Sequence, residues 1–223
     1  MPSGYLVGIF RQFGLTAVSI PNFLNLSVLP YRQRSELRPR FLSNRNFEKH
    51  YNVGDILRAF AQIQREHPNA ELVVVGDGPE RTQLEALASQ LALRNVTFEG
   101  AVTPSAMGGF YDKSDIYLNS PLIDNMPGSI LEAFACGLPV VTSDAGGIPF
   151  IVRNEENGLL VQAGNPAALA EAALRLLHEP EFAALLAANA RREAETIYTW
   201  DEVRLRWRDA YRGAELQRLD APA

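Results

Sequence analysis

What most constrains this chain is a repeated exchange, from Arg40 onward, between short apolar runs and segments of helical period. Within ELVVV, Leu72 to Val75 are apolar without alternation, the mark of a strand covered on both faces of a parallel sheet. Further strands are expected at Phe41–Ser43, 96–100, 115–120, 139–143 and 158–162. Between them lie helical stretches at about 53–66, 79–91, 103–111 and up to Ala135, and three more helices follow near 166–178, 181–195 and 200–215. In the first of these, Ile56, Leu57, Phe60 and Ile63 share one side, and His67-Pro68 ends it. Strictly alternating strands and helices predict an α/β fold, a doubly wound parallel sheet with C-terminal helices.

The first 39 residues do not share this pattern. Ser3 is placed to cap a helix carrying Leu6, Val7, Phe10 and Phe13, with Gly14 as terminator. A strand is expected at Ala17–Ile20, then a proline- and arginine-rich linker. We read 1–39 as the remnant of a preceding domain with its linker, 40–195 as the Rossmann-like unit, and 196–223 as a C-terminal helix and tail.

Composition narrows the partners. Residues 1–50 carry seven basic and two acidic side chains, a balance of +5; the rest carry 14 and 24, a balance of −10. The basic start lacks the interleaved aromatics of a nucleic-acid patch, so no nucleic acid is expected. One cysteine excludes an internal disulfide framework and a cysteine-based zinc site. His50, His67 and His178 stand far apart along the chain, none with a second ligand at metal spacing, so no metal is expected. No run of 18 apolar residues occurs, and MPSGYLVGIF lacks a basic n-region. These features suggest a soluble, cytoplasmic chain, with peripheral attachment to the inner face of the membrane left open.

Ligands of such sheets bind outside the carboxyl ends of the strands, so the loops there are the candidates. GDGPER, after 71–75, starts like a dinucleotide fingerprint, but Arg81 replaces the third glycine; a tight turn at Gly78 bordering a ligand is the better reading. Arg45, with Lys49 four residues on, could hold a diphosphate, or the cations could be surface partners of Glu48. In SPLIDNMPGSILEAFACGLPVV, Pro127-Gly128-Ser129 opens a helix whose free N–H groups suit a phosphate. Glu132 could take a vicinal diol and Asp124 a sugar ring. Equally, Ser129 and Glu132 match an S-x-x-E capping box that needs no ligand. Gly146-Gly147 lets backbone approach a ligand or shapes a loop. Cys136 reads as a buried packing residue.

DNMPGSILEAFACGLPVVTSDAGGIP, over 124–149, resembles the donor-site signature of family-4 glycosyltransferases of the GT-B fold. SNRNFEKHYNVGDILRAF, VVVGDGP and VTFEGAVTP stand in that family's order and spacing, and the likeness covers about 40–178. It implies a retaining transfer of a sugar from a nucleotide-sugar donor to an unknown acceptor, a sugar, lipid or small molecule. Glu132 would bind the donor ribose and Asp124 the donor sugar. Backbone from Met126 through Gly128 to Ser129 would face the diphosphate, with Arg45 and Lys49, and Gly100, Ala101 and Val102 would face the base. No D-x-D occurs, which argues against a metal-clamped diphosphate. The departures are Asp124 where glutamate is common, Lys49 closer to the arginine than usual, and Phe150 where many members have glutamate.

The family has two Rossmann-like domains, and the sequence reads as the second alone. Transfer would then need an N-terminal half, and apolar faces at 3–13 and at Val203, Leu205, Trp207 and Tyr211 would drive self-association or await a partner. The competing readings are a nucleotide-sugar-binding module without turnover, and a sugar-nucleotide epimerase or dinucleotide enzyme, for which the required side chains are not evident.

Overall fold

The computed structural model describes residues 1–219, so the tail at 220–223 lies outside the described residues. Six strands form one parallel sheet: β1 (Arg40–Asn44), β2 (Glu71–Val75), β3 (Val96–Gly100), β4 (Ile116–Asn119), β5 (Val140–Ser143) and β6 (Leu159–Val161). Their order is β3-β2-β1-β4-β5-β6. Leu42 stands between Val73 of β2 and Tyr117 of β4 in the ladder. The chain leaves β1 toward β2 on one side and returns later as β4 on the other. The switch point, where a doubly wound sheet opens a crevice, therefore lies between β1 and β4.

The helices are α1 (Gly4–Gln12), α2 (Val53–Glu66), α3 (Arg81–Gln90), α4 (Pro104–Lys113), α5 (Gly128–Ala135), α6 (Pro166–His178), α7 (Pro180–Thr196) and α8 (Trp200–Leu219). Two apolar layers sandwich the sheet. Ile56, Leu57, Phe60 and Ile63 of α2 join Leu169 and Ala173 of α6 over one face, with Phe41, Leu72 and Val74 beneath. Met107 and Tyr111 of α4 and Ile130, Leu131 and Phe134 of α5 cover the other, on Leu42, Val75 and Tyr117. Helix α7 spans both layers, with Ala183 and Leu186 in the first and Ala190 and Ala194 in the second. Side chains of successive strand residues point to opposite faces, so two covered faces require uninterrupted apolar strands.

Four expectations change. Ala17–Ile20 forms no strand; Ile20 N–H donates to Met1 O at 2.8 Å and the Met1 amino group to Val18 O at 3.0 Å. The segment pairs with the chain's own start and not with a sheet. Helix α3 begins at Arg81, because Pro79 and Glu80 occupy the preceding turn. The apolar face expected on the last helix divides: Val203 is fully buried, whereas Trp207 and Tyr211 are 43% and 67% exposed. Finally, the fold brings two of the three histidines together, at the ends of α2 and α6, with ring centroids 6.1 Å apart.

The segment before β1 is tied to the sheet domain. Leu24 bridges Thr199 and is buried. Arg34 is 5% exposed and donates to the carbonyls of Ser114, Tyr111 and Cys136. Its burial, with Arg32 nearby, lowers its pKa to about 10, although Asp115 opposes this. Asp115 lies under Arg32, Arg34 and Arg38 at 2.6, 3.6 and 2.8 Å. Burial raises its pKa, but hydrogen bonds from Arg38 and Arg32 prevail and hold the carboxyl below its ordinary value.

Candidate active site

The loops after β1, β2, β3, β4 and β5 meet at the carboxyl edge of the sheet. A cavity of about 280 Å³ opens there, lined among others by Asn44, Arg45, Tyr51, Gly76, Ala101 and Val102. That is near the lower end of ligand-cleft sizes, roughly 300–1,000 Å³. Loop contact is allowed by glycine. A Cβ on Gly76, whose φ is +143°, would sit 2.0 Å from Arg45 O. Ala101 and Val102 form the wall expected to face a base, and Gly100 supports it by accepting Gly76 N–H at 2.8 Å.

Arg45 is the hub. Its Nη2 donates to Asp124 Oδ2 at 2.5 Å and its Nη1 to Ser129 Oγ at 3.3 Å. The guanidinium lies 3.9 Å from the centroid of the Tyr51 ring. Its Nε is buried with no hydrogen-bond partner among the described residues. A buried, unmatched N–H on a cation is costly, so it marks where an acceptor belongs. Tyr51 holds the planar group by stacking and leaves its edge free to donate.

The loop carrying Asp124 is clamped by the Gly146-Gly147 turn. Gly147 N–H donates to Asp124 O at 2.8 Å. A Cβ on Gly146, at φ +56°, would lie 2.2 Å from that same oxygen. The two glycines therefore bring backbone against the Asp124 loop. Asn125 N–H donates to Asp124 Oδ1 at 2.7 Å, and Ser3 Oγ donates to the Asn125 side chain.

Helix α5 has Pro127 at its N-cap, and no side chain caps it. This overturns the capping box: Ser129 lies inside the helix and its hydroxyl oxygen accepts from Arg45, and Glu132 sits beyond the first turn. Glu132 instead accepts from Tyr111 Oη at 2.7 Å, and that hydroxyl accepts from Asn44 Nδ2 at 2.9 Å. Burial raises the Glu132 pKa, and the Tyr111 hydrogen bond partly opposes this. Burial also pushes the Tyr111 phenol well above its usual value, so it stays a donor. Gly128 opens the helix with nothing within 4 Å of a built Cβ, leaving its first turn approachable.

Asp124 and Ser129 thus converge on Arg45, Glu132 is linked to the cavity through Tyr111 and Asn44, and Ala101 and Val102 line the same cavity as Arg45. Lys49 does not join them; it lines a separate depression with Asn52, Arg58 and Glu80. Gly78 packs on the backbone of Phe47, one step behind the cavity. The Met126 side chain is buried, its sulfur accepting Asn22 N–H at 3.4 Å, and it borders a second pocket with Pro2, Ser3 and Phe150. Asn44, Tyr51 and Tyr111 were not expected. Asn44 adjoins Arg45 and Tyr51 follows in the same loop, so both could have been found; Tyr111 sits in the apolar pattern of α4, which hides its hydroxyl. Cys136 is buried, and burial raises its thiol pKa to about 12, which leaves it inert. Among the described residues, no helix is long and apolar enough to cross a membrane.

Comparison with known proteins gives the family and the fold. A family profile described as glycosyl transferases group 1 matches residues 32–193. An uncharacterized glycosyltransferase of Methanocaldococcus jannaschii is 34% identical over 149 residues, covering 66% of this chain and 38% of that protein. Among solved structures, sucrose-phosphate synthase of Thermosynechococcus elongatus superposes with a TM-score of 0.85 at 25% identity, covering 97% of this chain and 58% of that one. Anabaena HepE, solved with UDP-glucose, superposes at 0.84 with 19% identity, covering 95% and 62% respectively, a likeness of fold. The chain therefore spans less than two thirds of each of these relatives.

Proposed function

The chain belongs to the group 1 glycosyl transferases, and from that premise we propose that its carboxyl-edge cleft binds a nucleoside diphosphate sugar, as the donor domain of a retaining, metal-independent family-4 enzyme. The observation that carries the proposal is the Arg45 guanidinium, aimed at the N-terminus of α5 with a buried, unpartnered Nε–H.

The diphosphate sits between Arg45 and the first turn of α5, where free N–H groups and the positive helix end meet it. The ribose diol donates to Glu132, which Tyr111 holds in place. The base lies against Gly100–Val102, and the sugar hydroxyls donate to Asp124. In the transfer, the bond from the anomeric carbon to the diphosphate oxygen breaks. A bond to the acceptor oxygen forms on the same face, and the acceptor proton passes to the departing phosphate oxygen. Arg45 and the helix end offset the charge left on the diphosphate. In the two-domain plan that the resemblance implies, the acceptor stands on a further domain, and orienting the two substrates across the cleft supplies much of the rate. The single, buried Cys136 fits a cytoplasmic setting.

The test is donor binding and donor loss with a panel of uridine, guanosine and adenosine diphosphate sugars, for the chain alone and with acceptor sugars and lipids. We expect one donor class to bind saturably and transfer to be negligible. Steady transfer would show that one domain suffices, and failure of every donor to bind would overturn the proposal.

A further inference from the structure

A second cluster of chemically competent side chains lies at the opposite edge of the sheet. Glu66 ends α2, His67 follows it as C-cap, and His178 ends α6. Both helices run back from the carboxyl edge, so their C-termini meet at the amino edge, far from Arg45. One ligand atom from each of Glu66, His67 and His178 lies within 4.8 Å of the other two. His178 Nε2 is 2.6 Å and His67 Nε2 3.9 Å from Glu66 Oε1. The His67 Nε2 atom is buried and has no hydrogen-bond partner among the described residues.

We infer that Glu66, His67 and His178 form a binding site for a divalent transition-metal ion of the zinc class, separate from the donor cleft. Two imidazoles and a carboxylate are the donor set such ions prefer, and three protein ligands leave a position for water. Ligands about 2 Å from a tetrahedral ion stand roughly 3.3 Å from one another. The observed separations bracket that value, and the half-exposed Glu66 and His178 side chains can close the difference by rotation. The field also favours a cation. Two helix C-termini present their negative ends here, and Glu66 adds a full charge. Cations on these helix ends are Arg65, in the last turn of α2, and Arg175, one turn before His178. Arg175 is engaged by Glu155 at 2.5 Å and Glu179 at 3.2 Å. A bound ion would tie the end of α2 to the end of α6, which join separate parts of the sequence over one face of the sheet. It takes no part in sugar transfer.

The experiment is calorimetric titration of the full, untagged chain with zinc chloride, alongside thermal melts with and without zinc. We expect one ion per chain and a rise in Tm of roughly 5 °C at hundredfold excess over Kd. His178→Ala and His67→Gln should each weaken binding about tenfold or more and lose the Tm rise. Metal-free melts of both variants report whether they still fold, and Glu66→Gln gives a third ligand test with little change in shape. Binding that survives all three substitutions, or no saturable heat in the wild type, would overturn the assignment. Donor binding is measured separately, so failure here leaves the donor proposal standing.

Discussion

Arg45 and Asp124, one after β1 and the other after β4, meet at 2.5 Å across the switch point of the sheet. Their side chains are only 11% and 12% exposed, so the pair is screened little by solvent. In the proposed complex this contact is shared: the diphosphate takes part of Arg45, and the sugar takes Asp124. Asp124→Asn frees the guanidinium from its counter-charge. It should raise affinity for a free nucleoside diphosphate about threefold to tenfold, the scale of an ordinary net hydrogen bond. The same variant should narrow the preference for the sugar-bearing donor over the diphosphate. Competitive titration of the two ligands reads both effects, and a uniform loss of affinity would show that Asp124 serves only to orient Arg45.

Glu132 separates stability from binding. Its carboxyl is raised by burial, so the native state holds its proton to higher pH than the unfolded chain does. Stability from that proton is complete below the unfolded carboxylate value, about 4.3, and is lost as pH rises through the raised value. Glu132→Gln does not titrate. Its melts should gain on those of the wild type as pH rises from 4 to 7, while donor affinity at pH 7 falls about tenfold. A capping role would give the reverse, lower stability with unchanged affinity.

The Gly146 turn is predicted to be required for the site. Gly146→Ala meets Asp124 O at 2.2 Å from a φ of +56°, so the Asp124 loop must shift. The expected cost is about 1–3 kcal/mol of stability with a loss of donor affinity. Gly109→Ala, inside α4 with nothing within 4 Å, is the control and should stabilise by about 0.5–1 kcal/mol. Equal behaviour of the two in denaturant melts would contradict the clamp.

Much of this was readable before the fold was known, for a physical reason. A strand covered on both faces is apolar nearly throughout, as β2 is, whereas β3 at the sheet edge alternates Val96 and Phe98 with exposed Thr97 and Glu99; glycine punctuates their ends, and both strands, with α2 between β1 and β2, fall where expected. Of the residues proposed to meet the donor, Arg45 and Asp124 follow from the loops after β1 and β4, and Ser129 from the start of α5. What failed depends on partners distant in sequence. Ala17–Ile20 is extended but finds only Met1 to bond. Ser129 has capping chemistry, but Pro127 takes the cap and Arg45 takes the hydroxyl. Tyr111 acts through a hydrogen bond across two helices, and the pairing of His67 with His178 depends on α2 packing against α6. No local pattern encodes these.

Asp115 is predicted to set the acid limit. Its folded pKa is depressed, so its contribution is present above the unfolded value of about 3.9 and lost as pH falls through the folded value. Asp115→Asn should destabilise the protein at pH 7 by about 3–5 kcal/mol, since it leaves the buried Arg34 with a weaker partner. The variant should also show a shallower loss of stability in acid. Parallel acid limbs for variant and wild type would mean that other carboxylates set the limit.

The central claim is that Arg45 at the head of α5 receives the donor diphosphate. Its most direct test is titration of wild type and Arg45→Ala with whichever nucleoside diphosphate sugar the wild type binds best. Loss of a charged hydrogen-bond donor predicts a fall in affinity of roughly 1.5–3 kcal/mol, more than tenfold, in a variant that remains folded. Equal affinity of the two proteins for that donor would contradict the account.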